Sequence, residues 1–194
     1  IPTDIGSTSH ASDFCYMTSH DKLTVFTSTY SREFYKSRGN FIEIGGMEVA
    51  RKGDDAQVQE LLRKVASGKA FGTNAHMITA AEAKERFPLL EEDMIEGAMW
   101  DPDAGLVTPR SQSVAGDLVD EAVAAGKLTV FPYTSAEEII VENGRAVGVK
   151  TAKGTIMADH VVLCAGIWGS LVSETAKVKL PLMPVEHPLL FFGP

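Results

Sequence analysis

Asn143-Gly144 constrains this chain more than any other pair of residues. It sits between two stretches of β-type residues, 138–142 and 146–151. Asn-Gly is the pair best suited to a two-residue hairpin turn with positive φ at both positions. The chain must reverse there and pair antiparallel. Lys153-Gly154 turns it again into Thr155-Ile156-Met157, so three strands follow one another as a meander. A short apolar run at 128–131 is expected to form a strand before them. After them, Asp159-His160 leads into Val161, Val162, Leu163 and Cys164, expected as a buried strand. Residues 170–176 read as a short helix, and 180–184 as the start of a further strand.

The first half has a different texture. Residues 1–17 read as loop, rich in Ser, Thr and Gly. Ser19 is a candidate cap for a helix over 20–35, with Leu23, Phe26, Tyr30 and Phe34 at helical spacing on one face. Residues 41–44 and 47–50 read as strands separated by Gly45-Gly46. Asp54-Asp55 opens a helix that includes Leu61, Leu62 and Val65 and is expected to stop near Gly68. Thr79-Ala80-Ala81-Glu82 has the capping-box pattern for a short helix ending before Pro88. Residues 95–100 read as a strand, and 101–105 as a turn. Thr108-Pro109 reads as a cap with Pro at the first helical position. That helix should run to about Ala125 with Val114, Leu118, Ala122 and Val123 inward. The fold class is therefore α+β: an antiparallel sheet with helices over 18–105, then a helix, a three-strand meander and a strand over 106–166.

Length and charge exclude several classes. A chain of 194 residues can build one good core or two small ones. A net charge of −8 disfavours nucleic acid, which needs a basic surface, and disfavours anionic membranes. No apolar run approaches the roughly 20 residues of a membrane-spanning helix. The two cysteines, Cys15 and Cys164, both lie in apolar stretches and read as buried free thiols, which suits a reducing, cytoplasmic setting. No signal peptide is evident, and the opening Ile1-Pro2 lacks an initiator Met, as expected of a piece of a longer protein. His20, His76 and His160 have no metal-ligand spacing, so no metal site is expected. There is no Gly-x-Ser-x-Gly elbow, Walker loop or His-Glu-x-x-His.

Two stretches carry candidate chemistry. Gly6, Ser7, Thr8, Ser9 and His10, followed by Ala11, place hydroxyls and backbone N–H groups beside one imidazole. Gly6 allows close approach to a ligand. Such a loop can meet phosphates or an aromatic ring, and it can equally be a plain surface loop. The second stretch ends in Ala165 and Gly166, followed by Trp168. A buried strand breaking at Ala-Gly admits a ligand at the carboxyl edge of a sheet, and the same pattern serves a core strand followed by a turn. Arg110 could bind a carboxylate or be a solvated first-turn residue.

Taken together, these stretches resemble the flavin amine oxidoreductases of the D-amino-acid-oxidase type, in particular the dimethylglycine/sarcosine dehydrogenase and oxidase group. G-S-T-S-H-A matches that group's flavinylation motif letter for letter. The resemblance implies FAD, covalently attached at His10. V-V-L-x-A-G-x-W matches through Ala165, Gly166 and Trp168, a turn expected against the cofactor. Ala136 falls where the family's first long hairpin strand pairs its backbone with the adenine. Ala104-Gly105 stands in place of the family's Asp-Gly. His187 keeps the histidine of a P-x-x-H-x-Y segment near the substrate, and Leu189 replaces the tyrosine.

The implied organisation is a flavin-contacting loop over 1–17, part of a substrate domain over 18–105, part of an FAD-binding α/β domain over 106–166, and a return to the substrate domain over 167–194. No Gly-x-Gly-x-x-Gly is present, so this piece alone is expected to hold FAD weakly or not at all and to be inactive. The implied reaction is hydride transfer to flavin from an N-methylated glycine or a similar secondary or tertiary amine. A folate carrier or an electron-transfer flavoprotein would be a partner, and a eukaryotic source would imply the mitochondrial matrix. The alternative is a non-catalytic folded module, either an isolated substrate domain or a degenerate paralogue, without bound cofactor.

Overall fold

The computed structural model describes residues 6–185, which fall into two compact units divided between Leu118 and Val119. In the first unit the strands β3 (Gly46–Arg51), β4 (His76–Thr79) and β5 (Ile95–Asp101) form an antiparallel sheet in the order β3-β5-β4. Alternation along these strands sends side chains to opposite faces. One face packs Ala50 and Met99 against Leu61 and Val65 of helix α2 (Asp55–Phe71). The other packs Ile78 and Ala98 against Ala83 of helix α3 (Ala80–Arg86), with Trp100 at the margin. The two clusters make a helix–sheet–helix sandwich.

The helix ends follow local chemistry. Asp54 caps α2 by accepting the Gln57 N–H at 3.0 Å, and Gly72 closes it at φ +91°. Gly68 does not end the helix. It is buried in the last turns, where a Cβ would lie 2.4 Å from Thr73 Oγ1. The Thr79–Glu82 capping box forms with both reciprocal bonds.

A second sheet, β1-β6-β2, joins β1 (Phe14–Cys15), β6 (Gly105–Val107) and β2 (Phe41–Glu43) antiparallel. Gly105 is required there, because a Cβ would lie 2.2 Å from the Ile42 carbonyl oxygen. Asp101, fully buried, ties the segment leading into helix α1 (Lys22–Ser37) to the end of β5. One carboxylate oxygen accepts the Met17 N–H at 3.0 Å and the Thr18 N–H at 2.9 Å.

In the second unit, β7 (Ala136–Glu142), β8 (Arg145–Thr151) and β9 (Gly154–Met157) form the expected meander in the order β7-β8-β9. Asn143 at φ 51° and Gly144 at φ 77° make the tight turn. Helix α5 (Gly169–Thr175) covers β7, burying Ile139, and the Ile139 N–H donates to Thr175 Oγ1 at 2.9 Å. The α+β class with a three-strand meander is thus the observed architecture. Among the described residues, no helix is long and apolar enough to cross a membrane.

Several sequence expectations fail for physical reasons. Residues 161–164 form no strand, and Val162 is 81% exposed. A strand needs a hydrogen-bonding neighbour, and none lies beside this run among the described residues. Cys164 is therefore exposed rather than buried, while Cys15 is half-buried. Residues 128–131 and 180–184 likewise form no strand. Helix α1 is capped by Asp21, whose carboxylate accepts the Thr24 N–H at 2.7 Å, and not by Ser19. Its buried residue is Val25, whereas the stripe from Leu23 through Phe26 and Tyr30 to Phe34 is exposed.

Thr108 does not cap helix α4 (Ser111–Ala124). Its N–H donates to the Asn40 carbonyl, and its own carbonyl accepts from Asn40 Nδ2 at 2.8 Å, holding it to the segment before β2. The Thr108–Pro109 peptide is cis, and the helix starts two residues later. Of the residues expected inward on α4, only Val114 is fully buried, and Val123 is exposed.

Candidate cofactor site

The Gly6–Ala11 stretch forms a compact turn. Gly6, at φ +99°, precedes a 3-10 helix over Ser7–His10. Its carbonyl accepts both the Ser9 N–H at 3.2 Å and the Ser9 hydroxyl at 2.7 Å. This takes up the Ser9 side chain and leaves Ser7, Thr8 and His10 exposed. Beside the turn lies a cavity of about 450 Å³. Ser7, Thr8 and Ala11 line it from the loop, and Val114, Ala115 and Leu118 line it from α4. Tyr35 of α1 and Val107 of β6 complete the wall. Hydroxyls on one side and an aliphatic surface on the other suit a flat, partly polar ring. The volume lies in the range of small-molecule pockets, roughly 300–1,000 Å³. Open space beyond Gly6, where a Cβ would point, leaves room for close backbone approach.

Asp13 stands two residues past Ala11, at φ 61°. Its Oδ1 accepts the Ser111 N–H at 2.8 Å, its carbonyl accepts the Val107 N–H at 2.8 Å, and Arg110 Nε lies 3.7 Å from Oδ2. Burial alone would raise the carboxyl pKa. The bonds from Ser111 and the Arg110 charge outweigh that and hold it below the usual carboxylate range. Arg110 is thus turned toward Asp13. The Cys15 thiol is pushed up by burial and then by the Asp13 charge, which keeps it protonated and a poor nucleophile.

Ala136, Ala165, Gly166 and Trp168 lie in the second unit. Ala136 opens β7, an edge strand, so part of its backbone faces away from the sheet. Ala165, Gly166 and Trp168 lie together at the turn into α5, with Gly166 at φ 52° and Trp168 59% exposed. His187 lies outside the described residues. His20 bonds Glu60 at 2.6 Å, His76 bonds the Asn74 carbonyl at 3.1 Å, and His160 is exposed. No group of metal-binding side chains occurs among the described residues. Sequence reasoning missed Asp13, Tyr35 and the α4 wall. Only Asp13 left a signal, as an acidic residue beside a loop.

Residues 7–194 match the family described as DAO, FAD dependent oxidoreductase. The chain belongs to this family. It is 31% identical over 162 residues to mitochondrial sarcosine dehydrogenase of Homo sapiens, covering 81% of this chain and 17% of that protein. It is 30% identical over 148 residues to 4-methylaminobutanoate oxidase (formaldehyde-forming) of Paenarthrobacter nicotinovorans, covering 76% of this chain and 17% of the relative. The chain therefore spans about a sixth of the length of these relatives. Among solved structures, L-proline dehydrogenase from P. horikoshii superposes with a TM-score of 0.75 at 27% identity, over 90% of this chain and 46% of that one. The family uses FAD.

Proposed function

We propose that this chain forms part of an enzyme that oxidises an N-methylated glycine or a similar secondary or tertiary amine. The observation that carries the reading is the 450 Å³ cavity bounded by residues of the G-S-T-S-H-A motif. The two relatives support the substrate class, since sarcosine and 4-methylaminobutanoate are both N-methyl amino acids. FAD, when bound, supplies the acceptor for a hydride leaving the carbon beside the substrate nitrogen.

The chain's own groups position the cofactor and exclude water. Ser7 and Thr8 offer hydroxyls and N–H groups to the polar edge of the ring, and Val114, Ala115 and Leu118 offer it an apolar wall. His10, in the same turn, is assigned the covalent attachment through an imidazole nitrogen. The edge backbone at Ala136 is assigned to the adenine, and Ala165, Gly166 and Trp168 are assigned to cofactor binding. His187 is assigned to the substrate side. The substrate leaves as an iminium that water hydrolyses or a folate carrier captures, and an electron-transfer flavoprotein is the proposed electron acceptor. The matrix is the proposed location for a eukaryotic source. Residues 1–194 contain no Gly-x-Gly-x-x-Gly diphosphate fingerprint and are assigned weak FAD retention on their own.

The test is made on the full-length protein. Acid-precipitated protein stays yellow, and mass spectrometry of the peptide containing His10 shows the added flavin. His10→Ala releases free FAD and keeps its fold, because loop changes away from core packing are mild. An unmodified His10 peptide from active, yellow protein rejects the covalent link alone. Protein that neither holds flavin nor oxidises N-methyl amines leaves the non-catalytic module as the answer.

A further inference from the structure

The walls of the 450 Å³ cavity come from stretches about a hundred residues apart, the Gly6–Ala11 loop and the first turns of α4. What joins them is Asp13. An ordinary helix cap is the residue just before the helix, with a side chain that accepts a bond from the first turn. Here that position is held by Arg110, which has no acceptor to offer. The Ser111 N–H is taken instead by Asp13 Oδ1, from 98 positions away in sequence. The Asp13 carbonyl meanwhile accepts the Val107 N–H, so main chain and side chain both grip the segment that leads into α4. Asp13 does this at φ 61°, a conformation costly for most residues and tolerated by Asp and Asn. A carboxylate at the N-terminal end of α4 also meets the positive end of the helix dipole.

We propose that Asp13 is a positioning residue that clamps the Gly6–Ala11 loop to α4 and thereby sets the width of the slot for the flavin ring. The inference rests on the assignment of that cavity to the cofactor. Asp13 touches none of the reacting atoms. It acts through the loop and the helix, and the sandwich cores around Leu61 and Ile78 do not depend on it.

The test compares Asp13→Gly, Asp13→Asn and Ser111→Pro in the full-length protein. Glycine suits the positive φ and removes the side-chain bond. Asparagine keeps both the φ and an acceptor for Ser111. Proline at the first helical position removes the Ser111 N–H and, with it, the Ser111 hydroxyl, so both bonds that Ser111 gives Asp13 are lost. Amide exchange is read over 6–13 and 111–118 with and without flavin, alongside the flavin absorption spectrum and its release rate after acid-free dilution of a His10→Ala background. Asp13→Gly and Ser111→Pro each raise exchange in both segments roughly tenfold, the loss expected of one charge-assisted bond. Exchange in α2 does not change. Flavin release accelerates by a similar factor, and the flavin band moves toward that of free flavin. Asp13→Asn restores most of both, and the double variant Asp13→Gly/Ser111→Pro is no worse than either single one. Unchanged exchange in the two segments overturns the clamp, as does faster exchange with an unaltered flavin spectrum and release rate. Should the protein hold no flavin at all, the exchange results still decide whether Asp13 joins loop and helix, and the failure falls on the cofactor assignment.

Discussion

Replacing Asp101 with alanine tests how the first unit is held together. The side chain is fully buried at the end of β5, and one of its oxygens accepts the N–H groups of Met17 and Thr18, both buried. Its other oxygen accepts the Asp103 N–H at 3.2 Å. Alanine leaves the first two donors without partners. A buried donor left unsatisfied costs about 1–3 kcal/mol, so the pair costs about 2–6 kcal/mol. Removing a buried carboxylate returns part of that, because its desolvation penalty also disappears. The expected loss is about 3 kcal/mol, more than a hundredfold in the unfolding equilibrium. Asp101→Asn keeps a carbonyl for Met17 and Thr18 but turns an amide donor toward the Asp103 N–H, and costs about half as much. The assay is urea unfolding followed by Trp100 fluorescence in a Trp168→Phe background, with amide exchange at Met17 and Thr18 as a second observable. A loss below about 0.5 kcal/mol for alanine, or equal losses for alanine and asparagine, refutes the reasoning, because the two N–H groups would then not depend on the carboxylate.

Gly105→Ala places a methyl group 2.2 Å from the Ile42 carbonyl oxygen and must part β2 from β6, with a loss of about 2 kcal/mol or more; thermal melting near that of the parent would show that the strands can separate freely. Thr79→Ala removes one half of the capping box and lowers stability by about 1 kcal/mol, checked by the same melt. Asp13 has a folded-state pKa below its ordinary 3.8, so its stabilising effect is complete above that value and fades as pH falls through the lower, folded one. The stability difference between the parent and Asp13→Asn should therefore be steady at neutral pH and shrink only in strong acid; a difference that vanishes near pH 6 contradicts this sign, since a depressed carboxyl titrates well below about 4. Acid precipitation of His10→Ala should leave the flavin in the supernatant and that of the parent should leave it in the pellet.

Features whose cause lies within a few residues were legible in the amino-acid order. Asn143-Gly144 carries its own turn preference, and Thr79 and Glu82 cap one another across a single turn. The family was legible through the resemblance that the G-S-T-S-H-A and V-V-L-x-A-G-x-W stretches carry. What depended on distant partners was not. The exposed stripe on α1 has helical spacing whether or not anything covers it, and periodicity carries no information about a neighbour. Val161 and Val162 suit a buried strand, but strand formation is a property of pairs, and the described structure has no partner beside them. Thr108-Pro109 has the look of a helix start, yet Thr108 is bonded to Asn40, and the start moves to Ser111. The cavity is lined from segments about a hundred positions apart, which meet where Asp13 accepts the Ser111 N–H across 98 positions. Residue order determined the Asn143-Gly144 turn and the Thr79–Glu82 capping box, because their energies are local. Tertiary structure alone decided which apolar faces are covered and where the motif finds its opposing wall, because those depend on which distant segments pack together.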